Sequence, residues 1–263
     1  MFMNTDGSLK STVPINDSTT NGPELGNEDR FGDSITNMGD LDGDGVNDLA
    51  VGATNDDTKS DGTDGGANWD AGAVHIMFMN TDGSVKSTVP INDSTTNSPE
   101  LATGDQFGHG VANIGDLDGD GVNDLAVGAN LDPGGGLRKG AVHIMFMNTD
   151  GSLKKLTVEI DDDTANGPEL SDNDRFGVSI TNIGDLDGDG VNDLAVGARL
   201  DDIKSDGTDG GEDWNAGAVH ILFMNTDGSV KSTEEINDST ANGPELSEAD
   251  YFGTSITNIG DLD

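Results

Sequence analysis

The string Gly-Asp-Leu-Asp-Gly-Asp-Gly-Val-Asn-Asp-Leu-Ala-Val-Gly-Ala occurs in full at 39–53, 115–129 and 184–198, and a fourth copy begins at Gly260. Self-similarity of this kind constrains the fold strongly, because every copy must adopt the same local structure and pack on its neighbours in the same way. The second aspartate of each copy falls at Asp42, Asp118, Asp187 and Asp263, steps of 76, 69 and 76 residues. Counted from the chain start, the units are 1–76, 77–144, 145–221 and a partial 222–263. A long unit alternates with a shorter one, and the insert SDGTDGG at 60–66 and 205–211 is absent from the middle unit, which carries Pro133-Gly134-Gly135-Gly136 there.

Within a unit the pattern is that of β-strands. A Phe-Gly pair (Phe31-Gly32, Phe107-Gly108, Phe176-Gly177, Phe252-Gly253) opens a first strand, expected over 34–38 in the first unit. The Asp-Gly loop follows, then a second strand over 49–53 and a third over 73–79, which ends in the turn Asn80-Thr81-Asp82-Gly83. A fourth strand is expected over 89–91, with Pro90 marking it as an outer edge. In the third strand Ala73, His75, Met77 and Met79 share one face and Val74, Ile76 and Phe78 the other, so both faces are apolar and need cover. Ala50 and Gly52 share a face of the second strand, leaving room for a neighbouring sheet. The expected fold is therefore all-β, with tandem four-stranded antiparallel sheets arranged as a closed ring or an open stacked array.

The loop Asp40-Leu41-Asp42-Gly43-Asp44-Gly45-Val46-Asn47-Asp48 places carboxylates at positions 1, 3, 5 and 9 of a tight turn. Four such groups, with a backbone carbonyl at position 7 and water, suit the hard oxygen shell of Ca²⁺. The opening resembles an EF-hand, but position 12 is Val51 inside a β-patterned run, where an EF-hand needs a bidentate glutamate and flanking helices. A plain Asp-Gly hairpin with solvated carboxylates accounts for the loop less well, since four carboxylates held so close repel one another without a cation.

Charge bears on the same question. The 263 residues carry 51 acidic and 12 basic side chains, a net charge of -39, with only 32% hydrophobic residues. Self-repulsion on this scale opposes compaction unless cations neutralise it, and the sign disfavours nucleic acid as a partner. There is no cysteine for a disulfide or a cysteine-zinc site. No apolar run approaches the roughly 18 residues of a membrane span, and Met1-Phe2-Met3-Asn4 lacks the pattern of a signal peptide.

A loop of the form DxDxDGxxD followed by LxVGA, with a Phe-Gly strand ahead and a GAVHI strand behind, resembles the FG-GAP repeat of integrin α-subunit propellers and related bacterial surface proteins. The resemblance implies propeller-type blades and calcium held by Asp40, Asp42, Asp44, Val46 and Asp48. In the next two units it implies Asp116, Asp118, Asp120, Val122 and Asp124, then Asp185, Asp187, Asp189, Val191 and Asp193. Asp261 and Asp263 remain of a fourth site. Thr54, Asn130 and Arg199 stand where the family's GAP triplet has proline, and the family's seven blades exceed the three and a half units present.

Other residues fit a structural role. His75, His143 and His220 repeat at one strand position, which reads as packing. Asn16, Asn92 and Asn237 each open an Asn-Asp-Ser sequon and are glycan acceptors in a lineage that uses them. Trp69 and Trp214 lie in long loops, as anchors or contact residues. No catalytic constellation is visible, and identically repeated aspartates favour structure over catalysis. The chain begins in mid-unit and ends inside a loop, as a window onto a longer polymer would. The expectation is a non-enzymatic, extracellular, bacterial protein whose calcium loops stiffen a surface array or filament of head-to-tail units, its partners being copies of itself. The alternative is an adhesion propeller that binds a surface protein or glycan.

Overall fold

The computed structural model describes residues 1–58, 70–203, 208 and 214–260. Fourteen strands are defined among them and no helix. A two-stranded ribbon, β1 (Phe2–Met3) with β2 (Leu9–Ser11), precedes three four-stranded antiparallel sheets. The first sheet holds β3 (Phe31–Gly39), β4 (Asp48–Ala53), β5 (Ala73–Met79) and β6 (Val85–Ile91); the second holds β7 (Phe107–Gly115), β8 (Asp124–Ala129), β9 (Ala141–Met145) and β10 (Val158–Ile160). The third holds β11 (Phe176–Gly184), β12 (Asp193–Ala198), β13 (Ala218–Met224) and β14 (Val230–Ile236). Each sheet is a meander in chain order, and the chain passes from the last strand of one sheet to the first strand of the next. The three sheets do not close into a ring. They are also offset from units counted from residue 1, whose boundaries fall in or at the ends of β5, β9 and β13.

The alternation of β5 separates its two faces as a period of two requires. Val74, Ile76 and Phe78 join Phe107, Val111, Leu125, Val127 and Met145 of the second sheet in one core, while Met77 and Met79 join Val51 and Val85, with Ile15 and Phe31 against them. The second and third sheets form an equivalent core through Ile144, Phe146, Phe176, Ile180, Val196 and Leu222. Fully burying side chains of this size stabilises by roughly 1.5–3 kcal/mol each. The middle sheet is covered on both faces, so Val111 is 8% exposed, whereas Ile35 at the equivalent place in β3 is 62% exposed.

Neighbouring sheets touch through backbone. A Cβ on Gly128 would lie 1.9 Å from the carbonyl oxygen of Gly177, and the equivalent approaches are 2.0 Å for Gly52 on Gly108 and 1.9 Å for Gly197 on Gly253. The glycine of the second strand is thus required by the Phe-Gly pair of the following sheet. Parallel bridges Gly72–Phe107, Gly140–Phe176 and Gly217–Phe252 carry each third strand's entry onto that same pair.

Two strand starts lie three or more residues ahead of expectation, while the first strand's end, at Gly39, and the second strand's start, at Asp48, differ by one residue. The first strand begins at Phe31, three residues early, because Gly32 at φ 98° lets a register shift between Phe31 and Ile35 keep the strand paired. The fourth begins at Val85, where Met79 already pairs with it, and it is the outer edge on which Pro90 was expected.

Candidate metal centre

Each Asp-Gly loop links the first and second strands of a sheet and is shaped by hydrogen bonds from backbone N–H groups to its own aspartates. In the first loop Asp40 Oδ2 accepts from Gly45 N (2.8 Å) and Asp44 Oδ1 from Val46 N (2.9 Å). In the second, Asp116 accepts from Asp120 N (2.9 Å) and Gly121 N (2.8 Å); in the third, Asp185 accepts from Gly188 N, Asp189 N and Gly190 N. The loop glycines make the curl accessible, Gly43 and Gly45 lying at φ 78° and 89°.

The position-9 aspartate has a structural role that the sequence did not reveal. Asp48 is buried, and its oxygens accept from Leu41 N and Met79 N, both at 3.0 Å. Asp124 bridges Leu117 N (2.9 Å) to Met147 N (3.0 Å), and Asp193 bridges Leu186 N (2.8 Å) to Met224 N (3.1 Å). Each ties the start of its loop to the end of the third strand's run. Burial pushes these carboxyls up, Asp124 to about 6, against the backbone N–H groups that hold them down.

Carboxylate oxygens of Asp40, Asp42 and Asp48 lie within 4.8 Å of one another, as do those of Asp116, Asp118 and Asp124, and of Asp185, Asp187 and Asp193. Asp118 Oδ1 is buried without a hydrogen-bond partner among the described residues, which is costly unless a cation meets it. An all-oxygen donor set with this orphaned atom fits a hard divalent cation such as Ca²⁺. Asp44, Asp120 and Asp189 stand outside the three groups and pair with lysine: Lys86 Nζ is 2.6 Å from both Asp42 and Asp44, Lys154 lies 2.7 and 2.6 Å from Asp118 and Asp120, and Lys231 lies 2.6 and 2.7 Å from Asp187 and Asp189. These hydrogen bonds hold the three position-5 carboxyls below the usual aspartate range. Val46, Val122 and Val191 pack their side chains on the cores, which anchors position 7. Asp261, Asp263, Trp69 and the whole first insert lie outside the described residues, as does most of the second.

Position 8 reaches out of the loop. Asn123 Nδ2 donates to Met38 O and Asn192 Nδ2 to Ile114 O, both at 2.9 Å, so each of these loops is clasped to the sheet before it. Asn113 donates to Asn37 O (2.9 Å) and Asn258 to Asn182 O (3.1 Å) alongside. Loop shape and the placing of one sheet on the next are thereby mechanically linked.

The repeated histidines are buried, and their rings meet Phe31, Phe107 and Phe176 edge-on at 5.6, 5.6 and 5.4 Å. They pack as expected, but their ring nitrogens have no hydrogen-bond partner among the described residues. Desolvation keeps them neutral, pushing His143 and His220 down to about 4. The solitary His109 places Nδ1 3.1 Å from Val178 O of the following sheet. Asn16, Asn92 and Asn237 close turns by accepting from Ser18 N, Ser94 N and Ser239 N, and the last two are buried. Trp214 is partly buried, and its carbonyl accepts from Ala249 N (2.8 Å). Buried acids ahead of the Phe-Gly pair also escaped the sequence reading: Asp105 and Asp174 accept from Ala102 N and Ser171 N at 2.6 Å, and burial raises them to about 6 and about 8.

A model of the FG-GAP repeat matches residues 107–145, which span β7, the second loop, β8 and β9. Integrin alpha-PS5 of Drosophila melanogaster is 33% identical over 177 residues, 67% of this chain and 15% of its own length. Integrin alpha-4 of Xenopus laevis is 32% identical over 168 residues, and integrin alpha pat-2 of Caenorhabditis elegans 39% identical over 93, covering 14% and 7% of those proteins. The chain thus corresponds to a small part of each relative.

Proposed function

We propose that this chain, built of FG-GAP repeats of the integrin α-subunit type, is a calcium-stabilised, non-enzymatic structural segment of an extracellular adhesion-type protein. The observation that carries the reading is the pairing of a three-carboxylate cluster with an asparagine clasp in one loop. A bound Ca²⁺ supplies charge neutralisation and a rigid oxygen cage. The chain's own residues do the rest: the position-1 aspartate curls the loop, the position-9 aspartate braces it to the third strand, and the position-8 asparagine passes that rigidity to the preceding sheet. Asp40, Asp42, Asp44 and Asp48, with the Val46 carbonyl, form the donor set, and the equivalent residues of the next two loops form theirs; Asp261 and Asp263 open a fourth. The millimolar calcium of extracellular fluid suits sites whose task is stiffness. Similarity to integrin α subunits supports a cell-surface location and a protein partner, and among the described residues no helix is long and apolar enough to cross a membrane.

A second reading, stacking of copies into an array or filament, is favoured by the equivalence of successive sheet contacts, Gly52 meeting Gly108 and Gly128 meeting Gly177 through backbone in the same way. Melting the protein in calcium and in EGTA, with electron microscopy and sizing of both samples, tests the two together. A melting point raised by calcium supports the site. Filaments that fray on chelation support the stack, and compact monomers leave the adhesion segment alone. An identical melting point in calcium and EGTA refutes the calcium role.

A further inference from the structure

We infer that Lys86, Lys154 and Lys231 are tethered competing cations, each seated on two carboxylates of its loop, which calcium must displace. This rests on the calcium reading above and concerns how that same site is tuned. The sequence places the lysine by rule: Thr-Asp-Gly-Ser is followed by Val or Leu and then Lys at Lys10, Lys86, Lys154 and Lys231. Four of the chain's 12 basic residues occupy this one repeat position, a concentration that random surface charge does not produce. The serine and aspartate ahead of it fix the turn that aims it, as Ser84 N and Oγ both donate to Asp82 Oδ1 (2.9 and 2.6 Å), with the same arrangement at Ser152 and Ser229.

In the first loop lysine and backbone engage the carboxylates of positions 3 and 5 alike: Asp42 Oδ1 accepts from Asp44 N (3.2 Å) and its Oδ2 from Lys86 Nζ (2.6 Å). Asp44 Oδ1 accepts from Val46 N and Oδ2 from Lys86 Nζ, and this carboxylate stands outside the three-carboxylate group. Asp120 and Asp189 are held in the same way by Lys154 and Lys231. A cation drawn to the Oδ2 oxygens of positions 3 and 5 meets the ammonium already seated between them and has to displace that charge. The lysine therefore stabilises the calcium-free loop, limits its self-repulsion, and subtracts that stabilisation from calcium affinity. The device keeps a four-carboxylate loop folded without metal and sets its affinity low.

The test is calorimetric titration of the chelator-stripped chain with CaCl₂, with melting curves in EGTA and in calcium. It compares wild type, the combined variant Lys86→Met, Lys154→Met and Lys231→Met, and Lys10→Met. Lys10 holds the same repeat position in β2 but makes no ion pair with an aspartate loop among the described residues, so it reports removal of a charge without removal of the contact. The combined variant is expected to bind calcium roughly three- to tenfold more tightly per site, the scale set by losing two partly exposed ion pairs. It should melt lower than wild type in EGTA and no lower in saturating calcium, while Lys10→Met tracks wild type. A combined variant with wild-type affinity, or one that loses equal stability with and without calcium, overturns the inference while leaving the calcium sites standing. Absence of calcium heat and of any melting shift in wild type overturns the calcium reading itself.

Discussion

Replacing Gly128 by alanine tests whether sheet-to-sheet contact through backbone is what the repeated Val-Gly-Ala encodes. The new Cβ would sit 1.9 Å from Gly177 O and 2.8 Å from its carbonyl carbon, whereas ordinary contact begins near 3.4 Å, so the two sheets must part by about 1.5 Å. Neither side is a flexible side chain that can swing away. Overpacking in a close-packed interior costs about 1–3 kcal/mol, and rigid backbone on both sides places this case at the upper end. Alanine returns about 0.5–1 kcal/mol by restricting the unfolded chain, leaving a net loss of about 2 kcal/mol. For a domain of this size that lowers the melting temperature by about 4–8 °C. Circular dichroism melts of wild type and Gly128→Ala in saturating calcium make the measurement. A variant equal to or more stable than wild type, the usual result for alanine in a strand with room, would refute the close approach.

Three further outcomes are expected. Asp124→Asn leaves one of two buried backbone N–H groups facing an amide donor and should cost about 1–3 kcal/mol even in EGTA, read by chemical unfolding. His143→Leu should keep or gain stability at pH 7.5, because neither ring nitrogen is partnered among the described residues. The same pair gives a pH test: with a folded value near 4 and an unfolded one near 6.5, His143 contributes stability that is present above pH 6.5 and lost as pH falls through 4. Wild type should lose about 1.4 kcal/mol per pH unit more than His143→Leu across that window; parallel pH profiles would contradict a neutral buried ring. Asn192→Ala removes the bond to Ile114 O and should cost about 1 kcal/mol, with a smaller gain on calcium addition than wild type shows.

Periodicity made much of this legible. The third strand, 73–79, has the limits read from its alternation, since a run buried on both faces leaves no ambiguity about its extent. The fourth was read too short because Lys86, Ser87 and Thr88 are polar outward residues of an edge strand, and only Val85 signals its start. The aspartates at positions 1, 3 and 9 come together as spacing implied, while position 5 stands apart, paired with a lysine 42 residues on in the first and third loops and 34 on in the second. Long-range pairing of that kind leaves no trace in a local motif. Nor does the bracing role of Asp48, which accepts a hydrogen bond from Met79 N on another strand.

The most direct measurement is a calcium-soaked crystal examined for anomalous signal. One peak in each loop, about 2.3–2.6 Å from oxygens of Asp40, Asp42, Asp44 and Asp48 and of their counterparts, with the lysine turned away, is the predicted result. Loops without a peak, their lysines still seated on Asp44, Asp120 and Asp189, would contradict the account.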